Sequence, residues 1–336
     1  IKSVLKNFKT ICFLIIIGII ISFLINLNIG FAKLNFSDFF NSESENFQIA
    51  GFRINRALAM LLAGIAIPTS GFLLQEYFKN PLAGPDVLGI TSVSSLFVAF
   101  YIFFSQNILI PDFLQNSFIS LSSIVGSIFL MMILLLFSNR FRDKSFIIIF
   151  GFLISALAGA VVSFLQFYVE SQSLKNYILW TFGANNQASL IQISILTVLI
   201  IIGLIFTFKS IKPLIGNALG TAYAQSFGIS QSKLKISIIV ASSLLSASVT
   251  AFLGPILFIG VVVPHFCRMI WNPAQLWHQW ILNMILGIFI MQVFSIISEL
   301  SQFPINIITT FFGIPVILLM LMKKVSMKKW NNKRHV

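Results

Sequence analysis

Residues 53–89 read RINRALAMLLAGIAIPTSGFLLQEYFKNPLAGPDVLG, and the apolar run inside this stretch, 57–78, carries one charged side chain, Glu76. The hydrocarbon core of a bilayer is about 30 Å thick and takes roughly 20 apolar residues to cross as a helix. The run is therefore read as a membrane span. Proline lacks a backbone donor and restricts the residue before it, so Asn80-Pro81 stops the helix just past Lys79.

Runs of the same kind recur along the chain. Of its 336 residues 57% are hydrophobic and 9% charged, where a soluble domain has about 25% charged, and the mean hydropathy is +0.96. Water cannot solvate such a chain on all sides, so the fold class is all-α and polytopic, a single transmembrane domain over 1–336. Ten spans are expected, near 11–29, 57–78, 88–104, 118–137, 146–167, 190–208, 236–251, 256–267, 280–297 and 305–322. The eighth is short enough for a broken or re-entrant element packed within protein. The first has a basic flank like a signal peptide, but it is long for an h-region and no A-x-A-like site follows.

A net charge of +13 raises the question of nucleic acid, yet the basic residues sit in short clusters between apolar runs: Lys2, Lys6 and Lys9; Arg140, Arg142 and Lys144; Lys209 and Lys212; Lys233 and Lys235; and the tail 323–336. Loops of that kind mark the cytoplasmic side. Ten spans then put both termini in the cytoplasm. Of the 22 Lys and Arg, only Lys33, Arg53, Arg56 and Lys175 fall outside. Membrane lipid is the expected surroundings and nucleic acid is not an expected partner.

Catalytic signatures are missing. His265, His278 and His335 are far apart, HExxH, GxSxG and the P-loop do not occur, and Cys12 and Cys267 lack metal-ligand spacing and read as free thiols. No catalytic residue, metal or cofactor is expected; the energy comes from a gradient or from a separate subunit. Ionisable groups within spans, the usual pointers to ion pathways, are nearly absent, and Glu76 is read as paired with an interfacial Arg or Lys. A secondary transporter working alone would need inverted repeats and a midplane carboxylate, and neither is visible. Arg53 and Arg56, three residues apart, share a helix face at the outer mouth of the second span. An Arg fork there suits the carboxylates of an acidic partner, so both are expected at the surface as a docking contact. Ser70, Gln75, Ser155 and Gln166 are candidate pathway linings, with Asn80 and Pro81 as gating candidates. Glycines 64, 71, 126, 151 and 159 and small residues such as Ala156 permit close helix approach. The stretch 213–235, punctuated by Gly216, Gly220 and Gly228, does not cross and is read as a polar cytoplasmic segment of short helices.

From Arg53 onward the chain resembles the FecCD-type permease family of ABC importers, which move iron siderophores, haem and cobalamin. The resemblance is carried by the opening stretch with its NPLA, by WTFG at 180–183, ALGTAYAQSFG at 218–228, GPILFIGVVVPHFCR at 254–268 and FPINIITTFFGIPVI at 303–317, in that order. It implies a ten-helix subunit of the type II ABC importer permease fold in a bacterial cytoplasmic (inner) membrane. It also implies a second permease copy or sister, two ATP-binding subunits that bind the ATP, an extracytoplasmic substrate-binding protein meeting Arg53 and Arg56, and an iron chelate as cargo, with haem or cobalamin as alternatives. The segment 214–229 would form the coupling helices, with Leu219, Gly220, Thr221, Ala224 and Gly228 at their core. The match has departures: Thr221 and Gln225 replace residues that are often charged, and Met291 and Ser295 replace the usual Asp and Arg, so a third outer arginine is missing and Glu299 stands nearby.

Overall fold

A computed structural model describes residues 8–105, 112–138, 144–183, 188–271 and 275–332. Among the described residues there are twelve α-helices and one 3-10 turn. The helices are α1 Phe8–Asn28, α2 Phe47–Phe78, α3 Ile90–Phe104, α4 Asp112–Ser138, α5 Lys144–Tyr168, α6 Ser171–Thr181, α7 Leu190–Ala218, α8 Thr221–Ser226, α9 Gln231–Leu253, α10 Ile259–Ile270, α11 Leu276–Ser301 and α12 Ile305–Asn332. Eight are long and apolar enough to cross a membrane; α3 and α10 are shorter apolar helices. Helices stand in order at all ten expected positions, but those at the third and eighth, α3 and α10, are too short to count among the eight candidate spans. The basic loop at Arg140 and Arg142, the turn at Pro111 and residues 333–336 lie outside the described residues.

Two boundaries differ from expectation. α2 begins ten residues early, at Phe47. Its first turns are too polar to face lipid, but Ala50, Arg53 and Arg56 are buried within the protein, where propensity and lipid solubility no longer decide. α7 runs through Pro213 to Ala218, so the break between spans covers 219–230 instead of 213–235. Ile211, Leu214 and Asn217 keep one face of this helix end buried, which holds it beyond the apolar run.

α2 and α9 are mostly buried, whereas α1, α5, α7 and α12 leave most of their apolar surface exposed. One apolar cluster centres on Met60, Ile67, Leu245 and Leu286, a second on Phe72, Leu88, Ile238 and Trp280. With lipid as apolar as Leu, helix association rests on close packing of small residues. A methyl added at Gly71 would land on the Gly260 carbonyl, and one at Gly287 on that of Gly64; Gly126 and Gly151 are similarly closed by Val93 and Leu88 backbone. Gly159 faces open space and Ala156 is exposed, so those two have no packing role within the chain. Gly71→Ala is expected to destabilise the purified chain by about 1–3 kcal/mol through overpacking, with Gly159→Ala neutral; thermal unfolding in detergent compares them.

Capping follows local chemistry. Ser189 and Gln192 form a reciprocal capping box on α7, and Ser230 caps α9. Between α1 and α2, the Ser44 hydroxyl and the Asn35 amide donate to Asp38 and hold its carboxyl below the ordinary 3.8. A lowered carboxylate contributes stability above its unfolded value and loses it as pH falls through the folded one, so whatever these hydrogen bonds contribute is present at neutral pH. Both cysteines are free, Cys267 buried and Cys12 half-buried.

Candidate functional sites

At the Arg53 end of the bundle the structure overturns the surface expectation. Arg53 is 4% exposed and Arg56 2%. A helix leaves its last four carbonyls without intrahelical partners, and α1 ends against α2. Arg53 donates through Nη1 to the carbonyls of Leu27 (3.2 Å) and Asn28 (2.9 Å) and through Nη2 to that of Ala32 (2.5 Å). Arg56 donates through Nη2 to the carbonyls of Asn26 (2.6 Å) and Ile29 (3.0 Å), and its Nη1 lies 2.6 Å from Glu299 Oε2 on α11. Gly30 lies against the Arg53 guanidinium with φ 152°, so any side chain there would displace it. Below this pair, Asn26 Nδ2 donates to Gln292 Oε1 at 2.7 Å, and Gln292 Nε2 donates to the Ala57 carbonyl at 2.8 Å. Together these groups form a polar clamp on α1, α2 and α11. A cationic fork suits a helix C-terminus both by hydrogen bonding and by its dipole. Missed in the sequence was that α2 starts at Phe47, which puts the arginines two turns inside a packed helix.

Several pathway candidates are likewise spent on packing. Ser70 is fully buried and donates to the Ser242 carbonyl of α9 at 2.9 Å. Gln75 is buried; its Oε1 accepts from Arg268 Nη2 at 2.5 Å while its Nε2 faces the carbonyls of Gly260 and Val261 on α10. Ser155 donates to the Gly151 carbonyl at 2.9 Å and packs against Gly89. Asn80 closes its own turn by accepting from the Leu82 amide at 3.0 Å; it and Pro81 are half-buried, as is Gln166 near the end of α5. Ser70 and Gln75 are therefore corrected to interhelical contacts. A short polar side chain inside an apolar helix looks the same in sequence whether it faces a pore or a neighbouring carbonyl. Glu76 has the interfacial partners expected of it, Lys79 at 3.6 Å and Arg268 at 3.9 Å.

At the opposite end from Arg53, α8 stands between α7 and α9 as a six-residue helix on two turns. Gly220 has φ 120° and Gly228 φ 77°, backbone regions that favour glycine, and a Cβ at either would meet nothing within 4 Å. The requirement is conformational and not steric. Ala224 is fully buried, while Leu219, Tyr223 and Phe227 are 69%, 50% and 67% exposed, and Thr221 is exposed. Apolar side chains presented this way, in a segment flanked along the chain by Lys209, Lys212, Lys233 and Lys235, form an exposed surface patch, the kind that marks a protein contact.

On another face, Thr181, Phe182, Thr310, Phe311 and Ile314 line an open, largely apolar cavity of about 550 Å³ between the end of α6 and α12. Phe311 is 74% exposed.

The architecture defines a multi-span helical membrane protein. Residues 17–323 match the model of the FecCD transport family, and the chain belongs to that family. It is similar to the hemin transport system permease protein HmuU of Yersinia pestis, 27% identical over 93% of this chain and 95% of that one. It is also similar to the vitamin B12 import system permease protein BtuC of Shigella boydii, 26% identical over 90% of this chain and 92% of the relative. A solved transporter described as metal-chelate type, in an inward-facing conformation, superposes with a TM-score of 0.76 at 22% identity, over 94% of this chain and 100% of that one.

Proposed function

We propose that the chain is the permease subunit of an ATP-driven importer of iron chelates, resident in a bacterial cytoplasmic membrane with both termini in the cytoplasm. It performs no chemistry. A second copy or a sister completes the pathway, two ATP-binding subunits seat against α8, and an extracytoplasmic binding protein delivers cargo at the other end. The observation that carries this reading is the exposed Leu219, Tyr223 and Phe227 patch on a glycine-jointed helix, in a chain whose sequence holds no P-loop. The basic clusters at that end support the orientation. ATP must bias two states of the permease differentially to move anything, and a rigid helix held between two pliant turns transmits that bias to α7 and α9. Docking through Arg53 and Arg56 is withdrawn, because both guanidinium groups are committed to α1 and, for Arg56, to Glu299.

Ferric siderophore is the cargo this reading favours; the hemin and vitamin B12 relatives support haem and cobalamin as the alternatives. Proteoliposomes carrying the assembled complex, with ATP on the nucleotide side, are expected to accumulate a labelled ferric siderophore only when ATP is present. Accumulation of haem or cobalamin alone reassigns the cargo, and accumulation without ATP overturns the importer reading in favour of a secondary transporter.

A further inference from the structure

Asp86, a half-buried carboxylate, stands in the loop between α2 and α3. The loop after α2 does not stay at the Lys79 end. It climbs back between the helices, so that Gly89 packs against Gly151 and Ser155 of α5 and Gly84 and Pro85 against Val261 and Gly260 of α10. Asp86 is thereby carried inward. Its Oδ1 accepts from Thr91 Oγ1, in the first turn of α3, at 2.7 Å, and its Oδ2 accepts from the backbone amide of Phe258 at 3.2 Å. Phe258 is the N-cap of α10, at the end of the non-helical stretch 254–258. Non-helical backbone within the apolar depth of a bilayer needs partners supplied by protein, and the first amides of a helix favour an anion. Asp86 thus ties the first turn of α3 to the start of α10.

Phe258 is also one of the few non-glycine residues with positive φ, 66°, a conformation costly for a bulky side chain. That conformation lays Phe258 against Gly313: a Cβ built on Gly313 would sit 2.5 Å from the Phe258 Cβ. Gly313 is midway along the apolar part of α12, Ile305–Met322. Its immediate neighbours Phe311, Ile314 and Pro315 line the open cavity. We propose that Asp86 is a positioning residue that, through the Phe258 amide, holds Phe258 as a wedge against α12 and so sets the position of the helix that walls the cavity. The wedge is a property of the chain itself; only its consequence for transport rests on the importer reading.

Hydrogen–deuterium exchange on the purified chain in nanodiscs tests the wedge without any partner subunit. Asp86→Ala is expected to raise exchange at least tenfold in peptides covering 255–262 and also in those covering 306–316 of α12, with Asp86→Asn intermediate because one oxygen acceptor remains. Phe258→Gly is expected to raise exchange in 306–316 to the same degree, and Asp86→Ala with Phe258→Gly to add nothing further there. Thr91→Val, which removes the other anchor of the carboxylate, is expected to shift both peptides in the same direction by less, and it serves if Asp86→Ala fails to fold. Faster exchange in 255–262 with 306–316 unchanged overturns the wedge, as does additivity of the two substitutions in α12. Neither result bears on whether an ATP-binding subunit associates with the chain.

Discussion

Arg56→Ala is expected to cost the fold about 3–5 kcal/mol, the usual penalty for stranding one partner of a buried ion pair. The alanine abandons the ion pair to Glu299 and two carbonyls at the end of α1, the Asn26 and Ile29 oxygens. Arg56→Lys is expected to recover only part of this, because an ammonium cannot fork between a carboxylate and two carbonyls. Arg53→Ala loses hydrogen bonds but strands no carboxylate and is expected to cost less, about 1.5–3 kcal/mol. Pairing Arg56→Met with Glu299→Leu should restore much of the stability, since an apolar pair of similar volume often replaces a buried ion pair without loss. Thermal unfolding of the detergent-purified variants ranks them. A surface docking role would give another order: charge reversal at either arginine would leave unfolding unchanged and weaken only the capture of a binding protein.

The second large effect is expected at α8. Gly220→Val forces a β-branched residue to φ 120°, a strain of about 1–3 kcal/mol, and Ala224→Trp drives an indole into a fully buried position. Gly220→Val acts through the turn before α8, and Ala224→Trp by forcing α8 away from the end of α7 against which it packs. ATP hydrolysis by the assembled complex should persist while cargo uptake falls tenfold or more. Equal loss of both activities would mean that the ATP-binding subunits no longer bind, and normal uptake would show that α8 transmits nothing. Tyr223→Ser with Phe227→Ser separates binding from transmission, because it removes the exposed rings, 4.8 Å apart, and leaves the turns intact.

The spans were legible because lipid imposes a length and a composition on a helix, and α1, α5 and α12, which expose most of their apolar surface, follow that rule closely. Legibility fell where protein replaces lipid as the surroundings. α2 could begin at Phe47 because its polar first turns face α1 and α11, and hydropathy gives no sign of such neighbours. The same blindness hid the clamp: Arg53 and Arg56 announce charge at a span's end, but only three-dimensional packing shows that the end of another helix needs them. Asp86 falls between the expected spans 57–78 and 88–104 and carries no signal of its own in the sequence. Its neighbours Asn80, Pro81, Gly84 and Pro85 are turn formers, and nothing local says that the turn climbs into the bundle. Gly71 and Gly159 look alike in sequence, yet one meets a carbonyl and the other open space. The breaks around α8 were readable, since Gly220 and Gly228 mark turns wherever the chain places them.

The central claim is that this chain is one subunit of an ATP-driven complex, and the direct measurement is purification of the tagged chain from its native membrane after mild crosslinking, followed by mass spectrometry of what remains bound. The expected result is an ATP-binding subunit crosslinked through residues 219–230, together with a second permease chain. Recovery of this chain alone, with α8 free of crosslinks, would contradict the account.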